Sequence, residues 1–204
     1  MRMANHAELV KKVIAGEFEK MLRLNSFSDI FIMDLVTTCG ISRNTFYYYF
    51  KDKYDLMNHI AVADIASMEA RQTEEITFGE VVLSVCGMMF YRRKFYYPCL
   101  QYSGQNSLYE FLNEYFAARW LEIVSSPKTF DETDEMSTDK LVAGMKSFAV
   151  VGKIKEWVKM GMTEKQFKSF EKIRDILNDE AACYQFCPKE QYTVVESREM
   201  KIVS

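Results

Sequence analysis

The residues best suited to contact another molecule lie close together in the N-terminal quarter of the chain. Residues 42–53 contain Arg43, Lys51 and Lys53 and a single acid, Asp52, although the whole chain has a formal net charge of −3. An acidic chain that binds nucleic acid needs a local basic surface, and this segment offers one. The acidic residues clustered at 131–139 indicate a solvated loop instead.

Three predicted helices position this basic segment. Apolar residues at i, i+3 and i+4 spacing predict an amphipathic helix over 7–24, and a shorter helix is predicted over 31–38. Gly40 supplies the positive φ of a tight turn, and Ser42 caps a second short helix because its hydroxyl can accept a hydrogen bond from a free amide. Two short helices joined by a glycine-containing turn form a helix-turn-helix, whose second helix enters the major groove of DNA.

The second short helix would present its first side chains to base edges. Arginine pairs with guanine and asparagine with adenine in the major groove, which makes Arg43 and Asn44 candidates for base contact. Tyrosine hydroxyls and ammonium groups suit phosphates, which fix the register of a protein on DNA. The predicted DNA-binding residues are Ser42, Arg43, Asn44, Thr45, Tyr47, Tyr48, Tyr49 and Lys53.

The run LVTTCGISRNTFYYYFKDKYDL, from Leu35 to Leu56, resembles the head of the TetR family of bacterial transcription regulators. The family pattern is roughly I-A-x-x-A-G-V-S-x-x-T-[LF]-Y-x-[HY]-F-x-x-K-x-x-L, and the match has no gap. The resemblance implies an all-α homodimer that binds a double-stranded DNA operator and, through its body, a small-molecule effector. By position it implies groove contacts from Arg43, Asn44, Thr45 and Tyr48, phosphate contacts from Tyr47, Tyr49 and Lys53, and head-core places for Ile41, Phe46 and Phe50.

Two residues depart from the family pattern at the start of the 31–38 helix. Phe31 stands where the family usually has Thr or Ser, and Met33 stands where it often has a basic residue. Helix 31–38 then carries no Lys or Arg. Because DNA affinity scales with the number of phosphates neutralised, these departures predict modest affinity or a greater dependence on residues 43–53.

The pattern of apolar residues after the head predicts an all-α body. We divide the chain into a helix-turn-helix head (1–56), a ligand-binding and dimerisation body (57–180) and an irregular or partly extended tail (181–204). Pro98 and the Ser103-Gly104 pair predict a break between 96 and 105, and Thr163 and Gln166 have the spacing of a capping box. Helices are predicted over 53–72, 79–95, 106–124, 138–160 and 164–179.

Aromatic residues crowd positions 90–120, where two interpretations stand side by side. Most such residues form helix core, yet tyrosines have a polar tip that suits a pocket for an amphipathic ligand. The candidate pocket residues are Met88, Tyr91, Tyr109 and Tyr115. On the last two helices, the intrachain core competes with a dimer interface as the place of Phe148, Val151, Trp157, Phe167, Phe170 and Ile173.

Other classes of protein are disfavoured. Five scattered cysteines, an N-terminus without a secretory apolar segment and the lack of a long apolar stretch predict a cytoplasmic protein away from membranes. Cys183 and Cys187 lack further ligands, so we expect no metal, and we expect no cofactor and no enzyme because nucleophile motifs and glycine-rich phosphate loops are missing.

The sequence therefore predicts a ligand-responsive regulator, with repression as the usual mode of the family. The alternative is a TetR-like co-activator that acts through a partner protein and binds DNA weakly or not at all. Phe31 and Met33 motivate that alternative. A second, shorter resemblance also bears on it, because Phe95–Leu100 and the run GKIKEWVKMG at 152–161 resemble the dihydroxyacetone-kinase-regulator-like branch, which contains regulators of both kinds.

Overall fold

A computed structural model describes residues 2–72, 76–124 and 138–179 of the chain. Within those ranges the protein is all-α, as predicted, and no strand occurs. The helices are α1 (Arg2–Leu22), α2 (Ile32–Cys39), α3 (Arg43–Tyr49), α4 (Lys53–Glu69), α5 (Phe78–Tyr91), α6 (Arg93–Leu100), α7 (Leu108–Val124), α8 (Thr138–Lys159), α9 (Glu164–Phe167) and α10 (Ser169–Asn178).

The first three helices and the start of α4 enclose a core of their own residues. Phe18 of α1, Leu35 of α2 and Phe46 of α3 are completely buried. Gly40 ends α2 with φ 65°, and its amide and that of Ile41 close the turn on Thr37 O and Val36 O. The predicted left-handed glycine is confirmed, and it directs the chain from α2 into α3.

The body is organised by two helix pairs, α5 with α10 and α7 with α8. Helix α5 begins with a capping box, in which Thr77 Oγ1 accepts from the Glu80 amide and the Glu80 carboxylate accepts from the Thr77 amide. Gly79 lets α5 approach α10 closely, because a Cβ there would lie 2.4 Å from the carbonyl oxygen of Arg174. The Gly79 amide donates to Asn178 Oδ1 at 3.0 Å.

Three predicted boundaries in the body were wrong. The predicted helix 79–95 ends at Tyr91, and α6 follows after Arg92 alone and contains Pro98. Pro98 removes one backbone donor near the end of an eight-residue helix, so the helix ends two residues later instead of before the proline. The predicted helix 164–179 divides at Lys168.

The predicted capping box at Thr163 does not form at the backbone. Its hydroxyl bonds the side chain of Gln166 at 2.8 Å, and no side chain caps the first amides of α9. The acidic segment at 125–137 and the tail at 181–204 lie outside the described residues. Across the described ranges, none of the helices combines the length and apolar character that a membrane crossing requires.

Candidate nucleic-acid interface and body cavities

Helix α3 is a short, well-capped helix seated on one buried phenylalanine. Ser42 Oγ accepts from the Thr45 amide at 3.0 Å and shares a 2.8 Å hydrogen bond with the Thr45 hydroxyl. Phe46 is completely buried beneath the helix, and Phe50, just after it, is 2% exposed. These contacts hold the helix in place and leave its other side to solvent.

The solvent side of α3 carries four of the predicted DNA-binding residues together. Arg43 and Asn44 are exposed in its first turn, and Tyr48 is 80% exposed. Tyr47 is also exposed, and the Arg43 guanidinium lies 5.9 Å from its ring centroid. Arg43, Asn44, Tyr47 and Tyr48 are called the reading face below, because this is the surface that a major groove would meet.

Three other predicted contacts occupy different environments. Thr45 and Tyr49 are half-buried, and the Tyr49 ring packs against the head core and against Tyr48. The hydroxyl of Ser42 is engaged in hydrogen bonds with the amide and hydroxyl of Thr45. We therefore regard Ser42, Thr45 and Tyr49 as residues that build the reading face, with Tyr49 at its margin.

Lys53 is placed differently from the sequence prediction. Its Nζ donates to Phe27 O at 2.9 Å, to Ser28 O at 3.0 Å and to Ile30 O at 2.9 Å. It also lies 4.9 Å from the centroid of the Phe27 ring. Burial lowers the pKa of Lys53, and the charge of Asp29 opposes that change. An ammonium group has three N–H donors, so this geometry leaves none for a DNA phosphate and instead ties α4 to the α1–α2 loop.

The start of α2 exposes two apolar residues and no cation. Phe31 precedes α2 without any side-chain cap and is 64% exposed, and Met33 is 53% exposed. The one charged residue in the first turn, Asp34, is an acid. Helix α2 thus braces α3 but supplies no cation for phosphate.

The four candidate pocket residues separate into two pairs. Met88 and Tyr91 line a cavity of about 540 Å³ between α4 and α5, together with Asp64, Arg71 and Arg92. Tyr109 and Tyr115 lie outside that cavity. Burial raises the pKa of Tyr109 to about 12, and Tyr115 donates to Glu69 Oε1 at 2.9 Å. Of the four predicted residues, the structure brings Met88 and Tyr91 of α5 together at this cavity and places Tyr109 and Tyr115 on α7, outside it.

The six candidate interface residues also separate. Val151, Trp157 and Phe170 are at most 2% exposed within one chain, so they belong to its own core and offer no surface to a second copy. Phe167 and Ile173 are half-buried, with the Phe167 ring stacked on Phe90. Only Phe148 among the six is well exposed, at 69%.

A charged cluster joins the head to the body around Arg92, the residue between α5 and α6. The guanidinium donates to Glu19 of α1 at 2.7 Å and pairs with Asp64 of α4. Tyr96 donates to the same Asp64 at 2.8 Å, and burial with this carboxylate raises the pKa of Tyr96 well above its ordinary value. Glu19, Asp64, Arg92 and Tyr96 are called the Arg92 cluster below.

Comparison with known proteins places this arrangement in a family. A family model described as a transcriptional regulator C-terminal region, of the TetR type, matches residues 77–179, about half of the chain. The chain belongs to the TetR family of transcription regulators. Two solved structures support the same TetR fold at low sequence identity, and they show the fold alone.

The first of these TetR structures is described as the dihydroxyacetone kinase operon activator DhaS, with 17% identity, a TM-score of 0.57 and coverage of 82% of this chain and 93% of that one. The second is a TetR transcriptional regulator from Streptococcus agalactiae 2603V, with 16% identity, a TM-score of 0.54 and coverage of 85% and 96%. A curated relative, the HTH-type dhaKLM operon transcriptional activator DhaS of Lactococcus lactis subsp. lactis (strain IL1403), is 32% identical over 60 residues. That match spans 29% of this chain and about a third of the relative.

Two residues of this TetR chain do not stand among the predicted site residues, although Lys51 belongs to the basic segment. Lys51 is exposed, and only its backbone amide is engaged, with Asp55 Oδ2 at 2.8 Å, so within the described residues its ammonium has no ion-pair partner. Its place beside Asp52, next to the reading face, could have marked it. Arg92 was missed because nothing in the sequence relates it to acids 73 and 28 positions away.

Proposed function

We propose that this TetR-family chain is a homodimeric, DNA-binding transcription regulator whose body responds to a small molecule. The reading face carries the proposal: Arg43, Asn44, Tyr47 and Tyr48 share the solvent side of a rigidly capped helix. An arginine and an asparagine in the first helical turn match the donors and acceptors of guanine and adenine. Lys51, exposed just after the end of α3, is the candidate for a phosphate contact.

A titration with the DNA upstream of the chain's own gene tests this proposal. Fluorescence anisotropy at several salt concentrations, against a shuffled duplex, measures specific and general affinity separately. Arg43→Ala should cost about 1–3 kcal/mol on the specific duplex and much less on the shuffled one. Lys172→Ala removes one charge from α10 and serves as the control. Equal affinity of the native chain for both duplexes would contradict the proposal.

The homodimer is proposed from an exposed apolar stripe on α8. Leu141, Met145 and Phe148 are 50%, 73% and 69% exposed and lie at i, i+4 and i+7, which is one side of a helix. Gly144 lies on the same side, and the place that its Cβ would take is open, so a second helix can approach closely. Two-fold operators also require paired heads, about 34–36 Å apart in successive major grooves.

A charge placed in the α8 stripe tests the dimer directly. Phe148→Glu should convert the dimer to a monomer in sedimentation at micromolar concentration, because the carboxylate would have to be buried in the interface. Leu24→Glu changes an 87% exposed leucine away from α8 and controls for added charge. A Phe148→Glu chain that stays dimeric would place the interface elsewhere.

The effector site is proposed at the α4–α5 cavity, because two of its lining residues belong to the Arg92 cluster. Asp64 and Arg92 both face that cavity and both connect to the head, through α4 and through Glu19. A ligand that changes the Asp64–Arg92 pair would change how the head is held. It would act only through its different affinity for the two arrangements.

The second candidate is a co-activator that works through a partner protein. Two exposed apolar residues at the start of α2, Phe31 and Met33, favour it. The names of two relatives, both operator activators, agree with activation. The DNA titration separates the two candidates, and a reporter gene in the presence and absence of the protein determines the sign of regulation. We expect the cytoplasm as the site of action for either candidate.

A further inference from the structure

A second cleft lies where the end of α1 meets α6 and the turn after α8. Its volume is about 550 Å³, and none of its lining residues belongs to the reading face or lines the α4–α5 cavity. Three cations line it, Arg23 from just after α1 and Arg93 with Lys94 from the first turn of α6. Head and body therefore both contribute to its wall.

The charge of this cleft is one-sided. None of its lining residues is an acid, and all three cations are exposed to solvent. Within the described part of the chain none of them forms an ion pair, although Arg93 lies 5.2 Å from the Phe90 ring centroid, which leaves its N–H donors available. An adjoining cavity of about 290 Å³ shares the three cations and adds Glu19, whose carboxylate accepts from Arg92. Its other lining residues are Tyr91, Arg92 and Phe95, of which Tyr91 and Arg92 also line the α4–α5 cavity.

The floor of the cleft is apolar. Leu22 is 4% exposed and Met162 is 1% exposed, and Tyr97 and Pro98 form the wall beside them. Met162 has φ 51° and follows Gly161 with φ 82°, so the turn after α8 bends sharply and brings the methionine beneath the cleft. Cations above an apolar floor match a molecule with an acidic group at one end and an apolar body at the other.

We propose that this cleft binds a small amphipathic anion, a carboxylate or a phosphate ester with an apolar or aromatic portion. Its volume lies within the range of about 300–1,000 Å³ that small-molecule sites occupy. Arginine forks bind carboxylate and phosphate oxygens in pairs, and lysine adds a point charge. A DNA phosphate needs only the cations, whereas the concave apolar floor can also contact the apolar part of a small ligand.

The position of the site gives the ligand a mechanical consequence. Arg23 belongs to the head and Arg93 with Lys94 to the body, so one anion would connect the two beside the Arg92–Glu19 pair. This inference goes beyond the proposed function, because it concerns a different cavity from the α4–α5 site. It can also be tested without DNA, so that its failure is distinguishable from a failure of DNA binding.

Calorimetric titration of the full chain with three probes tests the proposal. The probes are 4-phenylbutyrate, phenyl phosphate and the neutral 4-phenyl-1-butanol, each up to about 10 mM. We expect one or both anions to bind and the alcohol not to bind, and the better anion indicates the head group. In Arg93→Gln/Lys94→Gln the affinity for that anion should fall about tenfold or more, because charge-assisted hydrogen bonds are lost.

The double variant Lys168→Gln/Lys172→Gln removes the same charge from exposed positions outside the cleft and should bind the anion within about twofold of the native chain. Unfolding midpoints of both variants check that the fold is intact. Failure of both anions to bind, equal binding of the alcohol, or unchanged binding in Arg93→Gln/Lys94→Gln would overturn the proposal. So would a double variant that keeps the anion but lowers the salt dependence of DNA binding, since the cations would then contact DNA phosphates.

Discussion

Replacing Lys53 separates a structural role from a phosphate contact. Lys53→Met keeps an unbranched side chain, one atom shorter, and removes the ammonium group that donates to three carbonyl oxygens. The carbonyls of Phe27 and Ile30 would then lose a charged donor in a partly buried place. We expect the α1–α2 loop to loosen and the head to lose stability, while the reading face keeps all of its own side chains.

The magnitude follows from the number of bonds. A hydrogen bond to a charged group contributes about 1.5–3 kcal/mol net. Because the three bonds of Lys53 share one charge and the residue is only partly buried, we expect a total loss of about 2–4 kcal/mol rather than the full sum. With a urea m-value of about 1–3 kcal/mol/M, the unfolding midpoint should fall by about 1 M or more.

Urea unfolding followed by far-UV circular dichroism, at one protein concentration, measures this loss. The matched variant is Lys51→Met, because the ammonium group of Lys51 has no ion-pair partner among the described residues. Lys51→Met should change the free energy of unfolding by no more than about 0.5 kcal/mol and lower the salt slope of DNA binding by about 1. The reasoning is refuted if Lys53→Met shows the Lys51 pattern, with an unchanged midpoint and a reduced salt slope.

Three further predictions concern packing, capping and the contact between head and body. Gly79→Ala should destabilise the chain by about 1–3 kcal/mol in urea unfolding, since its Cβ would meet the carbonyl oxygen of Arg174, whereas Gly87→Ala, with its nearest atom 3.7 Å away, should be neutral or stabilising. Hydrogen bonds from the Thr77 amide and hydroxyl lower the pKa of Glu80. The contribution of Glu80 to folding stability is therefore present above its unfolded pKa of about 4.3 and is lost as pH falls through the lower folded pKa. Glu80→Gln should flatten the acid limb of a curve of stability against pH, and an unchanged limb would contradict this. Arg92→Gln should cost about 1–3 kcal/mol, because Glu19 and Asp64 lose a charged donor and Asp64 keeps only Tyr96, and an unfolding midpoint equal to that of the native chain would contradict this.

The head could be predicted from sequence because its signals are local. Gly40 and Ser42 each act on residues within four positions, and both behave as predicted. The start of α5 carried an equally local signal, Thr77 with Glu80, yet the predicted helix began at 79 because its apolar pattern was followed instead of its cap. The prediction at Pro98 was wrong because the free-energy cost of a proline depends on how many helical residues follow it. Tertiary contacts decide where the helix ends, and α6 ends two residues after Pro98.

The candidate sites were less predictable because they depend on distant contacts. A lysine in a basic segment suggests phosphate binding, but Lys53 meets carbonyls 23–26 positions earlier. Trp157 and Phe148 both fit an amphipathic helix, and only packing against neighbouring helices shows that the first is core and the second is surface. Tyr91 and Tyr109 are equally aromatic, and helical phase alone could not show that one is 88% exposed and the other buried.

The Arg92 cluster limits how this regulator can be recombined with its relatives. A hybrid joined at residue 56, with a foreign head on this body, would keep Asp64 and Arg92 but lose Glu19 unless the donor has an acid at that place on its first helix. The Arg92–Glu19 salt bridge between head and body would then be lost, although the head and the body would each be well folded. Exchange of DNA specificity between such proteins is therefore better made by replacing the four reading-face residues than by transplanting the whole head.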